Sequence, residues 1–132
     1  LSDLISGIRF VNRQAGSGTR VLLDFELKRL GINPSSINGY EREEFTHMSV
    51  GVAIASGLAD AGLAVRAAAQ ALELDFIPIA SEQYDLLFSR PFFESDRGQR
   101  LLSVLQSGEF KNTVAALGGY DSSGSGKLLY QQ

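Results

Sequence analysis

The 132-residue sequence predicts an α/β fold built on a largely parallel sheet flanked by helices. Three observations predict it. Short β-branched and aromatic runs alternate with stretches of helical apolar periodicity, the pattern of strand–helix–strand units. A glycine-rich turn, Arg13-Gln14-Ala15-Gly16-Ser17-Gly18-Thr19-Arg20, joins the first such strand to the first long helix. Two further strand-to-helix junctions, at residues 45–49 and 65–67, repeat the arrangement. In parallel sheets ligands bind beyond the carboxyl ends of strands, at helix N-termini, so the three junctions compete for any site.

The elements follow in order. Residues 1–7 read as a short helical turn, capped by Ser2 and Asp3 and stopped by Gly7. Residues 8–11 have strand character. Leu23, Leu27 and Leu30 then fall at helical spacing, Leu22 and Phe25 widen that face, and Gly31 with Asn33-Pro34 supplies the stop. Turn signals surround one short extended piece at residues 37–41, and the charged run 41–44 reads as a solvated connection. Thr46 caps a second helix reaching about Ser56, with Gly57 at C′; its body is apolar nearly all round, which predicts burial. Residues 60–65 form a small-residue strand and 66–72 a compact helix. Residues 76–79 and 84–88 read as extended, with Pro78 restricting the first to an edge or irregular strand. Pro91 opens a helical last third: 98–106 with Leu101, Leu102 and Leu105 on one face, a break at Gly108, and 109–117 ended by Gly118-Gly119. Residues 1–120 are thus expected as one domain and 121–132 as a flexible tail.

Composition bounds the function. A chain 44% hydrophobic and 20% charged is that of an ordinary globular protein, one domain or one lobe of something larger. A net charge of −3 with scattered basic residues argues against direct nucleic-acid binding. The absence of cysteine removes disulfides and thiolate metal sites. No apolar run approaches the roughly 20 residues that cross a bilayer, so no membrane partner is expected. No signal peptide is visible and the chain begins with Leu1, which predicts a fragment of a cytoplasmic protein, or of a periplasmic or extracellular one if the parent carries a signal.

Gly16-Ser17-Gly18-Thr19 lies where backbone N–H groups lack intrahelical partners and the helix dipole is positive. Glycines admit close backbone approach and hydroxyls add donors, so a tetrahedral oxyanion suits the turn. The plainer reading is an N-cap preceded by a turn. A dinucleotide fingerprint fails because Val21 stands at the third glycine, and a Walker A loop fails near the end because Asp121 and Leu128 occupy required positions. Ser17 and Thr19, with the Gly16 and Gly18 amides, are the leading ligand candidates. Arg13 and Arg20 either supply charge or remain solvated. Thr46 binds ligand or only caps its helix, and Arg66, at the helix start of the third junction, is a further ligand candidate lining the cleft. His47, the single histidine, is a poor metal ligand alone and reads as structural or as a neutral donor lining the cleft. Tyr40 and Tyr84 are hydroxyl donors or core tyrosines. Asp60 is expected to orient backbone or pair with an arginine.

Several blocks carry a resemblance: Phe10-Val11-Asn12-Arg13-Gln14-Ala15-Gly16-Ser17-Gly18-Thr19-Arg20-Val21-Leu22-Leu23-Asp24, Gly39-Tyr40, Thr46-His47-Met48, Ala59-Asp60-Ala61-Gly62-Leu63 and Leu74-Asp75-Phe76-Ile77-Pro78, with residues 82–86. Together they resemble the PBP-like domain related to molybdate-binding proteins, similar to type II periplasmic binding proteins. That domain occurs fused to MoeA-like molybdopterin-biosynthesis enzymes or helix-turn-helix regulators. The resemblance spans roughly residues 3–126 and covers the later part of a two-lobed domain, mainly its second lobe with a return strand and C-terminal helices. It implies a non-enzymatic sensor or accessory module binding molybdate or tungstate, without a cofactor, whose site is completed by a missing first lobe. A homodimer through the uncovered inter-lobe face is a further expectation. Phosphate or another anion, or an interaction lobe without ligand, are the alternatives. A serine hydrolase using Ser17 and His47 is disfavoured, because Ala15 breaks the Gly-x-Ser-x-Gly elbow spacing.

Overall fold

The computed structural model describes residues 1–129; residues 130–132, the end of the expected tail, lie outside the described residues. The chain divides into two compact units, Leu1–Phe76 and the residues from Ile77 onward.

In the first unit a 3₁₀ turn, Ser2–Ile5, leads to β1 (Phe10–Arg13), α1 (Gly18–Leu30), a second 3₁₀ turn (Pro34–Ser36), β2 (Glu43–Glu44), α2 (His47–Ala55), β3 (Ala61–Gly62) and α3 (Arg66–Ala71). The three strands form one parallel sheet in the order β2-β1-β3. The α/β class expected from sequence is the class observed. The central strand is buried along its whole length. Phe10 packs with Leu4, Leu23, Leu27, Ile37 and Leu63, which sets α1 on one side of the sheet. Val11 packs with Val50, Ala53 and Ala59, which sets α2 on the other. Alternation along an extended strand separates the two clusters. Each fully buried Leu or Val contributes on the order of 1.5–3 kcal/mol.

Sequence boundaries shift in instructive ways. The first strand runs two residues later than expected, because its register is set by partners: Asn12 faces Glu43, Arg13 faces Glu44, and Phe10 and Val11 face Ala61 and Gly62. The extended piece expected at residues 37–41 is a turn, and the strand falls instead within the charged run expected to be a solvated connection. An edge strand needs backbone partners more than apolar side chains, and the Asn12 amide of β1 and the Gln14 amide just past it donate to the Arg42 and Glu44 carbonyls at 2.8 and 3.1 Å. The strand expected over residues 60–65 contracts to Ala61–Gly62. A Cβ on Gly62 would stand 2.8 Å from the Val11 carbonyl oxygen, so β3 packs closely on β1 only because this residue has none. The apolar face of α1 is narrower than expected, with Leu23 and Leu27 buried while Phe25 is 62% exposed. On α2, Met48 and Val52 are about half exposed, so the all-round burial expected there is not found. At the first turn Leu1, rather than Ser2 or Asp3, holds the cap position, without a side-chain bond.

The second unit is helical: α4 (Arg90–Phe93), α5 (Asp96–Gln106) and α6 (Gly108–Ala116). Ser95 caps α5 through the Gly98 amide, and Ser107 caps α6 through the Phe110 amide. The segments expected as extended at 76–79 and 84–88 have no ladder partner among the described residues, and Tyr84 and Leu87 are almost fully exposed. Past α6, the Gln106 side-chain amide donates to the Gly126 carbonyl at 2.9 Å. Among the described residues every buried apolar side chain belongs to the first unit.

Candidate functional site

Parallel pairing brings the carboxyl ends of β1 and β2 side by side, and with them the turn before α1 and the residues before α2. The Gln14 amide donates to the Glu44 carbonyl at 3.1 Å, and Arg13 Nη2 donates to the Phe45 carbonyl at 3.1 Å. Arg13, Gly16, Ser17, Gly18, Thr19, Arg20, Thr46 and His47 therefore follow the carboxyl ends of these two adjacent strands. Arg66 opens α3 after β3, on the opposite side of β1, and is exposed. Tyr84 lies in the second unit.

Gly16 adopts φ 83°, a conformation open to glycine at little cost, and turns the chain into α1. Ser17 is the N-cap: its Oγ accepts from the Arg20 amide at 3.2 Å and donates to the Gln14 carbonyl at 2.9 Å. The hydroxyl proton is thereby committed to the protein. The helical ladder starts with the Val21 amide on the Ser17 carbonyl, so the Gly18 and Thr19 amides precede it. At α2, Thr46 and Ser49 form a reciprocal capping box: Thr46 Oγ1 accepts from the Ser49 amide at 2.9 Å, and Ser49 Oγ accepts from the Thr46 amide at 3.1 Å. His47 is half-buried in the first turn of α2.

The two arginines differ sharply. Arg20 stacks on the Tyr40 ring, 4.1 Å from guanidinium carbon to centroid. Its Nε donates to Asp24 at 3.2 Å and its Nη1 to Glu43 Oε1 at 3.1 Å. Burial opposes its charge, but Tyr40 and Asp24 more than offset that cost, and its pKa lies above the ordinary arginine value. The Tyr40 phenol donates to Asp24 at 2.5 Å, and burial followed by this bond raises its pKa. Arg13 is only 7% exposed. Its Nε and Nη2 donate to neutral oxygens, Gln14 Oε1 and the Phe45 carbonyl, both at 3.1 Å. Its buried Nη1 has no hydrogen-bond partner among the described residues.

Asp60 pairs with Arg9, accepting from its amide at 2.9 Å and its Nε at 3.0 Å; these bonds, the side-chain one first, lower the carboxyl pKa to about 2. Sequence reasoning missed three supporting residues. Asn12, 1% exposed, accepts from the Arg13 amide at 3.0 Å and donates to the Tyr40 carbonyl at 3.1 Å. Gln14 holds Arg13, and Glu43 Oε1 accepts from the Ala15 amide at 3.0 Å as well as from Arg20. An amide in a buried strand was the available signal for Asn12; Glu43 carried none beyond membership of a charged run. Among the described residues no group of three or more histidine and carboxylate side chains is arranged to hold a metal ion, and no helix is long and apolar enough to cross a membrane.

Comparison with known proteins identifies the superfamily. The PBP superfamily domain matches residues 1–106. An uncharacterised Bacillus subtilis protein, YvgK, is 36% identical over 128 residues, 94% of this chain, and the chain spans 40% of that protein's length. An uncharacterised Clostridium pasteurianum protein, encoded in the 5′ region of a 2Fe-2S ferredoxin gene, is 37% identical over 115 residues, covering 83% of this chain and 97% of that protein. No solved structure matches.

Proposed function

The chain belongs to the PBP superfamily, and on that premise we propose that it is a non-enzymatic module binding a tetrahedral oxyanion, molybdate or tungstate in preference to phosphate. One observation carries the reading. Arg13 is a buried cation whose Nη1 is unpartnered among the described residues and whose other donors meet only neutral oxygens. Leaving a buried charged group unsatisfied costs several kcal/mol, roughly 3–5 where one partner of a buried pair is removed. An anion at the junction of the α1 turn and the α2 start offsets that cost. The Gly18 and Thr19 amides and the Thr19 hydroxyl face the same junction in this reading, with Gly16 admitting close approach and Ser17 fixing the turn. Thr46 and His47 flank it from α2, while Arg20 supports it from behind and Arg66 lies beyond β3. A set of donors suits a fully deprotonated dianion; monohydrogen phosphate also requires an acceptor for its proton.

The exposed Val21, Phe25, Phe45 and Met48 leave apolar surface on this unit for a first lobe elsewhere in a longer polypeptide, or for a second copy of the chain. In a fusion with a MoeA-like enzyme or a helix-turn-helix domain, binding would report oxyanion supply in the cytoplasm.

A second reading, an interaction lobe without ligand, is favoured by one fact: the Ser17 and Thr46 hydroxyls already serve as caps. The test is thermal shift and titration calorimetry with molybdate, tungstate, phosphate and sulfate, on this chain and on a polypeptide carrying both lobes. A ligand at 100 times its Kd stabilises the native state by about 2.7 kcal/mol. Selective stabilisation by molybdate or tungstate, lost in the Ser17→Ala, Thr19→Val double variant, supports the oxyanion reading. Silence in both polypeptides leaves the interaction lobe.

A further inference from the structure

Resting on the anion-binding reading of the turn, the geometry points to Glu43 as the positioning residue of that site. Its carboxylate lies on β2, in the neighbouring strand, and a single oxygen accepts twice. Oε1 takes the Ala15 amide at 3.0 Å and Arg20 Nη1 at 3.1 Å. The first bond pins the turn one residue before Gly16. The second pins the first turn of α1, since Arg20 also anchors to Asp24 and stacks on Tyr40. The strand register that pairs Asn12 with Glu43 brings the carboxylate to this place, although 28 residues separate it from Ala15.

The turn is also tied at Gln14, whose amide donates to the Glu44 carbonyl and whose carbonyl accepts from the Ser17 amide and hydroxyl at 3.2 and 2.9 Å, but among the described residues Ala15 has no other hydrogen bond than the one to Glu43. Ala15 and Gly16 are exposed, and Gly16 is free to leave its positive φ. Glu43 therefore fixes, from outside, the amides that the anion must meet. Its negative charge is turned toward Arg20, which offsets it and leaves Arg13 as the cation facing the ligand. Glu43 does not touch the anion; it acts through the turn and through Arg20, and pre-organised donors bind more tightly than mobile ones.

The test compares Glu43→Ala with Glu43→Gln in the whole chain, since glutamine keeps a carbonyl oxygen that accepts the same two bonds. Two readouts are taken: molybdate affinity by calorimetry and amide hydrogen exchange at Ala15 in the ligand-free protein. Glu43→Ala is expected to weaken molybdate binding about tenfold and to speed exchange at Ala15, with Glu43→Gln close to the parent in both. Tighter binding in both variants would identify Glu43 as a repelling charge and overturn the proposal. Equal loss in both variants would assign the effect to charge alone, and unchanged exchange at Ala15 in Glu43→Ala would also overturn it. If the parent chain binds no molybdate, the oxyanion reading fails on that result, while exchange at Ala15 still decides whether Glu43 positions the turn. Should Glu43→Ala not fold, Glu43→Asp takes its place: the shorter side chain withdraws the oxygen from Ala15, and the same loss is expected.

Discussion

The two helix starts beyond the carboxyl ends of β1 and β2 solve one problem differently. The α2 start is closed on itself: Thr46 and Ser49 exchange bonds with each other's amides, and the hydroxyls are spent within four residues. The α1 start is open. Ser17 covers the Arg20 amide, glycines stand on either side of it, and the Gly18 and Thr19 amides precede the helical ladder. What the first start gets from its own side chains, the second gets from distant groups, Glu43 on another strand and Tyr40 on another loop. The α2 ladder likewise begins only at the Val50 amide on the Thr46 carbonyl, as the α1 ladder begins at Val21 on Ser17; what sets the α1 start apart is the glycine on each side of its cap residue and the support it takes from Glu43.

Removing the charge between the two starts is the severest way to break this contrast. Arg13→Gln is expected to cost about 100-fold in oxyanion affinity, in line with a charged hydrogen-bonded contact of roughly 2–3 kcal/mol. It should leave the melting temperature of the ligand-free protein unlowered, because a buried, uncompensated charge has gone. A marked fall in that temperature would show Arg13 to be a structural cation. The two caps sharpen the contrast at the next level down. Ser17→Ala and Thr46→Ala should each lower stability by about 1 kcal/mol, measurable by urea unfolding. Only the first should also weaken binding several-fold, since only there does the cap set the amides the anion meets. Equal affinity losses in the two would erase the distinction.

The smallest effect lies away from these two helix starts. Asp60 holds a folded pKa of about 2, below the unfolded carboxyl value of about 3.9. The unfolded state therefore takes up its proton first as pH falls. The stabilisation from the Arg9 pair is complete above about pH 4 and is lost as pH falls through about 2. Asp60→Asn should flatten that part of the acid-unfolding curve while leaving stability at neutral pH modestly lower. Because the pair is exposed, added salt should shrink the difference.

How far the sequence foretold these details depended on whether the information was local. The turn, α1, the Thr46 cap and the stop at Gly31 were legible because capping, helical spacing and C-terminal glycine act within a few residues; Gly31 does close α1, its amide meeting the Lys28 carbonyl at 3.2 Å. Strand β2 was not legible. Glu43 and Glu44 become a strand because β1 offers them backbone partners, and no property of the charged run announces that. For the same reason the partition between Arg13 and Arg20 stayed open: both flank the glycine turn, and although Asp24 lies one helical turn from Arg20 on α1, it is the tertiary arrival of Tyr40 and Glu43 that completes a satisfied guanidinium there and not at Arg13. The segments at 76–79 and 84–88 have strand-like composition and no partner strand among the described residues, so propensity alone did not make them a sheet.

The strand order β2-β1-β3 has a consequence for how the molecule is made. Of the three strands, the one that comes first in the chain is the one that ends in the middle, and its Phe10 and Val11 are apolar toward opposite sides. On the ribosome Phe10 and Val11 emerge well before Glu43 and long before Gly62, so neither edge of β1 can zip up as it appears. The nascent chain must hold a sticky central ribbon until the later partners arrive, a non-local closure of the kind that slows folding. In the folded unit that ribbon is covered on one side by Leu23 and Leu27 of α1 and on the other by Val50 and Ala53 of α2.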